Sequence, residues 1–374
     1  MIICYYIYGD SMDIKEIVKH FAFEGEFQCV SEFGTGHINS TFIADFKRAE
    51  NEKRYVIQKI NTSVFKKPDE LMKNIFAVTD YLYEEIKKRG GNPERETLRF
   101  IKTTDGKNYY EAENGDCFRA YVFVENSVSF DSAETPELFE KSGKAFGEFQ
   151  NMLENFPAHT LFETIPNFHN TAWRFENEFM LSLFSSDDEL HAECREEIDF
   201  VTSRRRIMSV LSDMAERGEL PLRVTHNDTK LNNVLFDKDT LDALCVIDLD
   251  TVMPGLALYD FADSIRFGAS TAAEDEADLS KVSLNLEYFK AYARGYLSRA
   301  GKTLTKAERD NLALACIVIT LECGMRFLTD YLNGNKYFKI DYPNHNLVRA
   351  KNQFALVRDM ESKLDEMKAI IDAL

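Results

Sequence analysis

Apolar residues recur along this chain with two periods, and the change from one to the other divides it. Up to about residue 124 many short runs alternate. Residues 53–61 (KRYVIQKIN) place Tyr55, Ile57 and Lys59 on one face of a predicted strand. Residues 118–124 read as a further strand, and residues 99–102 and 108–112 flank Asp105-Gly106, a hairpin signal. Two strand-like runs flank a glycine pair within residues 33–43. Helical spacing is confined here to residues 13–23 (Ile14, Ile17, Val18, Phe21) and residues 68–88. The second opens with Pro68, carries Asp69 and Glu70 in its first turn, and is apolar at Leu71, Ile75, Val78, Leu82 and Ile86. Beyond residue 125 the helical period takes over, in residues 135–156, 196–217, 284–300, 306–332 and 346–374. The pattern predicts an α+β protein with an N-terminal antiparallel sheet lobe, residues 1–124, and a larger, mainly helical lobe, residues 125–374.

One polar stretch interrupts this scheme. Residues 224–236 read VTHNDTKLNNVLF, and residues 245–250 read CVIDLD. Short apolar runs bound His226, Asp228, Asn233 and Asp248, in the order H-x-D-x-x-x-x-N followed by I-D. Phosphoryl transfer uses this layout. A hydroxyl is a poor nucleophile at neutral pH, so a placed carboxylate, Asp228, accepts its proton as transfer proceeds. Mg²⁺ takes oxygen ligands and keeps several waters, so one amide and one carboxylate, Asn233 and Asp248, suffice beside the phosphates of ATP.

The same layout assigns work to the first lobe. Gly34 and Gly36 let backbone approach a phosphate closely, although Asn39 stands where a G-x-G-x-x-G loop has its third glycine. Lys59, at the end of the strand after that turn, is placed as the phosphate-binding ammonium, with Glu70 one possible ion-pair partner. Backbone groups of Phe123, Val124 and Glu125, at the lobe boundary, are placed to meet the adenine. In the second lobe Asp260 reads as a helix cap, Asp263 and Arg266 as an i,i+3 ion pair, and Arg204-Arg205-Arg206 as a solvated face.

Composition narrows the partners. The 374 residues carry a formal charge of −18, which disfavours nucleic acid or an anionic membrane as the main partner. Seven cysteines without a C-x-x-C pair fit reduced thiols and a cytoplasmic setting. The N-terminal MIICYYIYGDSMD has no basic segment and meets Asp10 early, so it does not read as a signal peptide. No apolar run approaches the length of a membrane span.

Several longer motifs add a resemblance. FGTGHINSTF at 33–42, QKINTSVF at 58–65, THNDTKLNNVLFD at 225–237, IDLDTVMPG at 247–255, YDFADSIRFG at 259–268 and GMRFLTDYL at 324–332 stand in order. Together they resemble the small-molecule phosphotransferases with a protein-kinase-like bilobal fold, the aminoglycoside and choline kinases and their relatives. The likeness is strongest to the N-acetylhexosamine 1-kinase branch. That resemblance implies ATP- and Mg²⁺-dependent phosphorylation of a free N-acetylglucosamine or N-acetylgalactosamine at its anomeric hydroxyl; the alternative readings are a kinase for another small alcohol, of aminoglycoside, choline or homoserine type, and a non-catalytic nucleotide-binding regulator. It implies Asp228 as base, Asn233 and Asp248 as metal ligands, and a sugar held near His37, Asp228, Thr251, Arg326 and Tyr337. A monomer or weak homodimer is expected. No D-F-G or A-P-E follows Asp248, which argues against a protein kinase. Asp250, two residues past Asp248, is left between two readings, support of the metal shell and support of the catalytic loop.

Overall fold

The computed structural model describes residues 14–33, 40–48 and 51–374. By contacts the chain divides into two units. One holds the described residues up to Ser127 together with Leu244–Asp250; the other holds Val128–Ala243 and Thr251–Leu374. This division by contacts runs to Ser127, three residues past the lobe boundary expected from the sequence, and the return of Leu244–Asp250 to the first unit breaks sequence order.

The first unit is built on β1 (Glu26–Glu32), β2 (Ser40–Arg48), β3 (Asn51–Ile60), β4 (Phe100–Ile101), β5 (Tyr110–Glu111) and β6 (Cys117–Val122). The sheet is antiparallel in the order β1-β2-β3-β6, with β4 and β5 both on the outer edge of β6. The hairpin expected around Asp105-Gly106 is therefore corrected: β4 and β5 each pair with β6 and not with one another. The turn itself forms, with Gly106 at φ +84° and the Thr103 N–H donating to the Lys107 carbonyl at 2.9 Å. Helix α1 (Ile14–Val18) ends before the expected Phe23, because Phe21 leaves the helix to bridge Thr103. Helix α2 (Pro68–Lys88) spans the predicted residues.

Strand alternation gives this sheet two distinct faces. Tyr55, Ile57, Phe118 and Ala120 are buried against Ile17, Val18 and Phe21 on one face. Gln58, Arg119 and Tyr121, one position out of phase, take the other. On that face the Tyr121 ring lies tilted 5.2 Å from that of Phe100, and Phe100 lies tilted 5.8 Å from Phe76 of α2.

The second unit is mostly helix. Helices Pro136–Met152 and Leu286–Ala300 approach so closely that a Cβ at Gly295 would lie 2.1 Å from the Glu140 carbonyl oxygen, and one at Gly143 2.5 Å from that of Tyr292. Only glycine fits there. Helix Leu312–Leu332 is long and apolar enough to cross a membrane, with a mean hydropathy of 1.8, yet 78% of that window is buried in protein. Glu322 and Asp330 interrupt the apolar run, and each is buried among donors. Asp330 accepts from the backbone N–H groups of Lys336, Tyr337 and Phe338 at 2.8–2.9 Å and so folds the following loop onto the helix end. Residues 196–217 form three short helices, Arg195–Ser203, Arg205–Met208 and Val210–Glu216, in place of one. Arg204 sits at the first break, doubly bonded to Glu361 at 2.8 Å and 3.5 Å over the Phe200 ring, so it does not belong to a solvated face.

Candidate active site

In the second unit the strand Arg223–Thr225 pairs antiparallel with Met253–Gly255 and launches the polar stretch at 226–233. This loop is held by helix Ala257–Gly268. Asp260 is inside that helix and fully buried, which corrects its reading as a cap. Its carboxylate accepts the backbone N–H of Asn227 (2.8 Å), the backbone N–H of His226 (2.9 Å) and the Gln150 amide (2.9 Å). Asp263 accepts the Thr229 N–H at 2.9 Å, Thr229 Oγ1 donates to the Asp260 carbonyl at 2.6 Å, and Ser264 Oγ donates to the Thr229 carbonyl at 2.7 Å. The expected Asp263–Arg266 pair is present at 2.9 Å. Burial alone would raise the Asp263 carboxyl, but the Arg266 and Lys230 charges outweigh it and hold it below the ordinary value.

These bonds fix a strained backbone. Asn227 has φ +64°, a left-handed conformation that costs a non-glycine residue about 1–2 kcal/mol. Its side-chain amide donates to the Thr251 carbonyl at 2.8 Å, and Thr251 Oγ1 donates to the His226 carbonyl at 2.6 Å. Thr251, expected beside the sugar, thus braces the loop with the same hydroxyl.

Asp228 follows, a quarter exposed on its side chain. The Asn233 amide nitrogen donates to its backbone carbonyl (2.8 Å) and to Oδ2 (3.2 Å), which leaves Asn233 Oδ1 as an acceptor-only atom. Lys230 Nζ lies 2.8 Å from Asp228 Oδ1. Burial would lower the Lys230 ammonium, but Asp228 and Asp263 together keep it above the usual lysine value. Sequence reading passed over Lys230; its position two residues after Asp228 was the available signal.

Arg326, on helix Leu312–Leu332, is ringed by aromatic faces, its Cζ 5.2 Å from the centroid of Phe168, 5.5 Å from Phe338 and 6.0 Å from Tyr337. The structure therefore brings Arg326 and Tyr337 together. Phe338, in the same aromatic loop, and Phe168 join them.

In the first unit Asp248 stands in left-handed backbone, φ +59°, on the segment that returns to the sheet. Asp250, two residues on, forms a buried ion pair with Arg119, and Arg119 Nε donates to Gln58 Oε1 at 3.0 Å. Asp250 thereby ties the Asp248 segment to β3 and β6. Burial would lower Arg119, but Asp250, with a smaller contribution from Asp248, holds it above the ordinary arginine value.

Lys59 is elsewhere. It pairs in register with Phe118 and shares the face of Tyr55 and Ile57, and its ammonium meets Asp116 at 2.7 Å. Glu70, considered as its partner, pairs with Lys67 at 3.0 Å. Arg119 is a cation on Asp248's side of the sheet. A one-residue step along β3 reverses the face, so Gln58 shares the face of Arg119 and Lys59 takes the opposite one.

At residues 123–125, the Phe123 N–H donates to the Arg54 carbonyl at 3.0 Å, and Arg95 donates to the Glu125 carbonyl at 3.2 Å. Arg54 lies 4.0 Å over the Phe123 ring and donates to the Glu125 carboxylate at 3.0 Å. Ser127 Oγ takes the Val124 carbonyl at 2.6 Å. Gly34, Gly36 and His37 lie outside the described residues. Among the described residues no group of three or more His, Cys, Asp or Glu side chains gathers as a metal cage.

Comparison with known proteins places these features. A model of the phosphotransferase enzyme family matches residues 30–301. An aminoglycoside phosphotransferase from Alicyclobacillus acidocaldarius subsp. acidocaldarius DSM 446 superposes with a TM-score of 0.58 at 13% identity, covering 98% of each chain. A choline kinase from Cryptosporidium parvum Iowa II gives 0.55 at 14% identity, over 91% of this chain and 90% of its own. A spectinomycin phosphotransferase, solved with ADP and spectinomycin, gives 0.54 at 13% identity, over 94% and 98%. At such identities the likeness is one of fold: α+β, protein-kinase-like.

Proposed function

Because the chain belongs to the phosphotransferase enzyme family, whose model spans residues 30–301, we propose that it transfers the γ-phosphoryl group of ATP to the anomeric hydroxyl of a free N-acetylhexosamine. The observation that carries the reading is Asp228 on a loop pinned at both backbone ends, with the Lys230 ammonium 2.8 Å from its carboxylate. In this reading Asp228 accepts the proton of the sugar hydroxyl as the O–P bond forms. Lys230 sits where negative charge on the moving group needs a counter-charge.

By the sequence motif, Asn233 and Asp248 would hold magnesium. Within its own unit Asn233 keeps Oδ1 as an acceptor when its amide nitrogen binds Asp228, and Asp250 anchors the segment that carries the Asp248 carboxylate. A cation that keeps waters and phosphate oxygens needs no more from the protein. When bound it would neutralise phosphate charge. Arg119, not Lys59, is the cation we place on that side of the sheet. For the adenine, the Phe123 carbonyl and the Glu125 N–H form the acceptor–donor pair that no bond among the described residues engages.

The acceptor is read from Arg326 and Tyr337. A guanidinium donates and cannot accept, so it suits hydroxyl and acetyl oxygens and opposes a cationic acceptor such as choline or an aminoglycoside. His37 and Thr251 complete the sugar set in this proposal. The test is an ADP-release assay with ATP and Mg²⁺ over N-acetylglucosamine, N-acetylgalactosamine, choline, homoserine and aminoglycosides. Turnover confined to the N-acetylhexosamines supports the reading; turnover confined to cationic alcohols refutes the sugar and leaves the family intact.

A further inference from the structure

His169 precedes the helix Thr171–Arg174 and is nearly buried. Its Nδ1 lies 2.8 Å from Glu322 Oε1, and its Nε2 lies 3.2 Å from the backbone carbonyl oxygen of Asn227. The second Glu322 oxygen accepts the Thr171 hydroxyl at 2.6 Å. Glu322 is on helix Leu312–Leu332, one turn before Arg326. Burial alone would raise its carboxyl, but His169, Arg174 and Arg326 outweigh that and hold it below the ordinary glutamate value. Both ring nitrogens of His169 thus face acceptors, a carboxylate and a carbonyl.

We propose that His169 is a positioning residue: by holding the Asn227 carbonyl it sets the direction in which the next residue, Asp228, presents its carboxylate. Asn227 is the strained residue of the loop, at φ +64°. Asp260 accepts its N–H, the Thr251 carbonyl accepts from its side-chain amide nitrogen, and His169 lies against its backbone carbonyl. Without that contact the peptide joining Asn227 to Asp228 is free to turn about its long axis, and the carboxylate turns with it. Glu322 fixes the ring from behind. The proposal rests on Asp228 being the base.

The experiment is a double-mutant cycle on kcat with His169→Ala and Asp228→Asn, in the full chain with ATP, Mg²⁺ and the sugar that the panel identifies. Asp228→Asn alone is expected to remove most turnover. His169→Ala alone is expected to lower kcat by roughly 10–100-fold, the scale of a misplacement near 1 Å, with the KM for ATP within twofold of wild type. In the Asp228→Asn background it should lower the residual rate no further, because it acts through the carboxylate already removed. His169→Gln keeps an amide that can donate to the Asn227 carbonyl and should recover most of kcat; it also serves if the alanine variant fails to fold. Additive losses, a loss confined to KM, or a glutamine variant as slow as alanine each overturn the proposal. Full activity of Asp228→Asn would instead overturn the reading of the base on which it rests.

Discussion

Replacing Asp260 by asparagine keeps the shape of the side chain and removes its charge. Asp260 Oδ2 accepts the His226 N–H and the Gln150 amide, both at 2.9 Å, and Oδ1 accepts the Asn227 N–H at 2.8 Å. Asparagine has one acceptor oxygen. With that oxygen kept at the two-bond position, its NH₂ faces the Asn227 N–H, donor against donor. One charge-assisted bond worth about 1.5–3 kcal/mol is lost, and the two that remain weaken to neutral bonds, about 1 kcal/mol each. The sum is about 3.5–5 kcal/mol, offset in part by relief of the buried charge, which burial disfavours, against a typical stability of 5–15 kcal/mol. The freed Asn227 can also leave its left-handed conformation and take Asp228 with it, so kcat should fall by roughly 100-fold in the folded fraction. Urea unfolding followed by circular dichroism gives the first quantity, and turnover below the transition gives the second. A variant within 0.5 kcal/mol of wild type and with unchanged kcat would refute the view that helix Ala257–Gly268 holds the catalytic loop through this carboxylate.

Three further outcomes follow from particular contacts. Lys59→Ala removes a half-exposed ion pair with Asp116 on the sheet face opposite Arg119. The KM for ATP should stay within about threefold and stability within about 1 kcal/mol; a loss of nucleotide binding in an equilibrium titration would return Lys59 to the phosphates. ATP should serve well and GTP poorly, because guanine presents its donor where adenine presents an acceptor, and the Glu125 carbonyl that could receive it is held by Arg95 at 3.2 Å. Arg95→Ala should narrow the gap in kcat/KM, and an unaltered gap would remove Arg95 from base selection. Glu322→Gln should destabilise the protein at pH 7 by about 2–4 kcal/mol, since it leaves a buried histidine without its carboxylate. The Glu322 carboxyl is depressed below its ordinary 4.5 in the folded chain, so its contribution is complete above that value and fades as pH falls through the folded value. Denaturation midpoints should therefore converge only below about pH 4.5; convergence already at pH 6 would contradict the assignment.

What the sequence made legible was governed by local pattern. Helix α2 has a proline at its first turn and an unbroken apolar stripe, and it was read to the residue. The polar stretch at 224–236 stands out in sequence because few other arrangements need Asp, Asn and Asp at those intervals. Face assignment was less secure. Lys59 and Gln58 are adjacent, and the motif alone does not say which points toward Asp248; that depends on which strand face α1 covers. Asp260 looked like a cap because aspartate favours helix starts, whereas tertiary donors from the loop at 226–227 draw it into the helix interior. The hairpin at Asp105-Gly106 failed for a related reason: its turn chemistry is local, but the partner strand, β6, lies further along the chain. Helix Leu312–Leu332 does not read as a membrane span in sequence because Glu322, Arg326 and Asp330 interrupt its apolar run, and the structure buries most of it in protein.

Phosphorus NMR of a reaction containing the protein, ATP, Mg²⁺ and a free N-acetylhexosamine reads the central claim directly, since it reports both transfer and the oxygen that receives the group. Wild-type protein should convert the γ-phosphate signal into a new resonance coupled to the anomeric proton, and Asp228→Asn, still binding ATP, should leave the ATP spectrum unchanged over the same hours. A phosphorus signal on any other sugar oxygen, or the anomeric product formed equally fast by Asp228→Asn, would contradict the account.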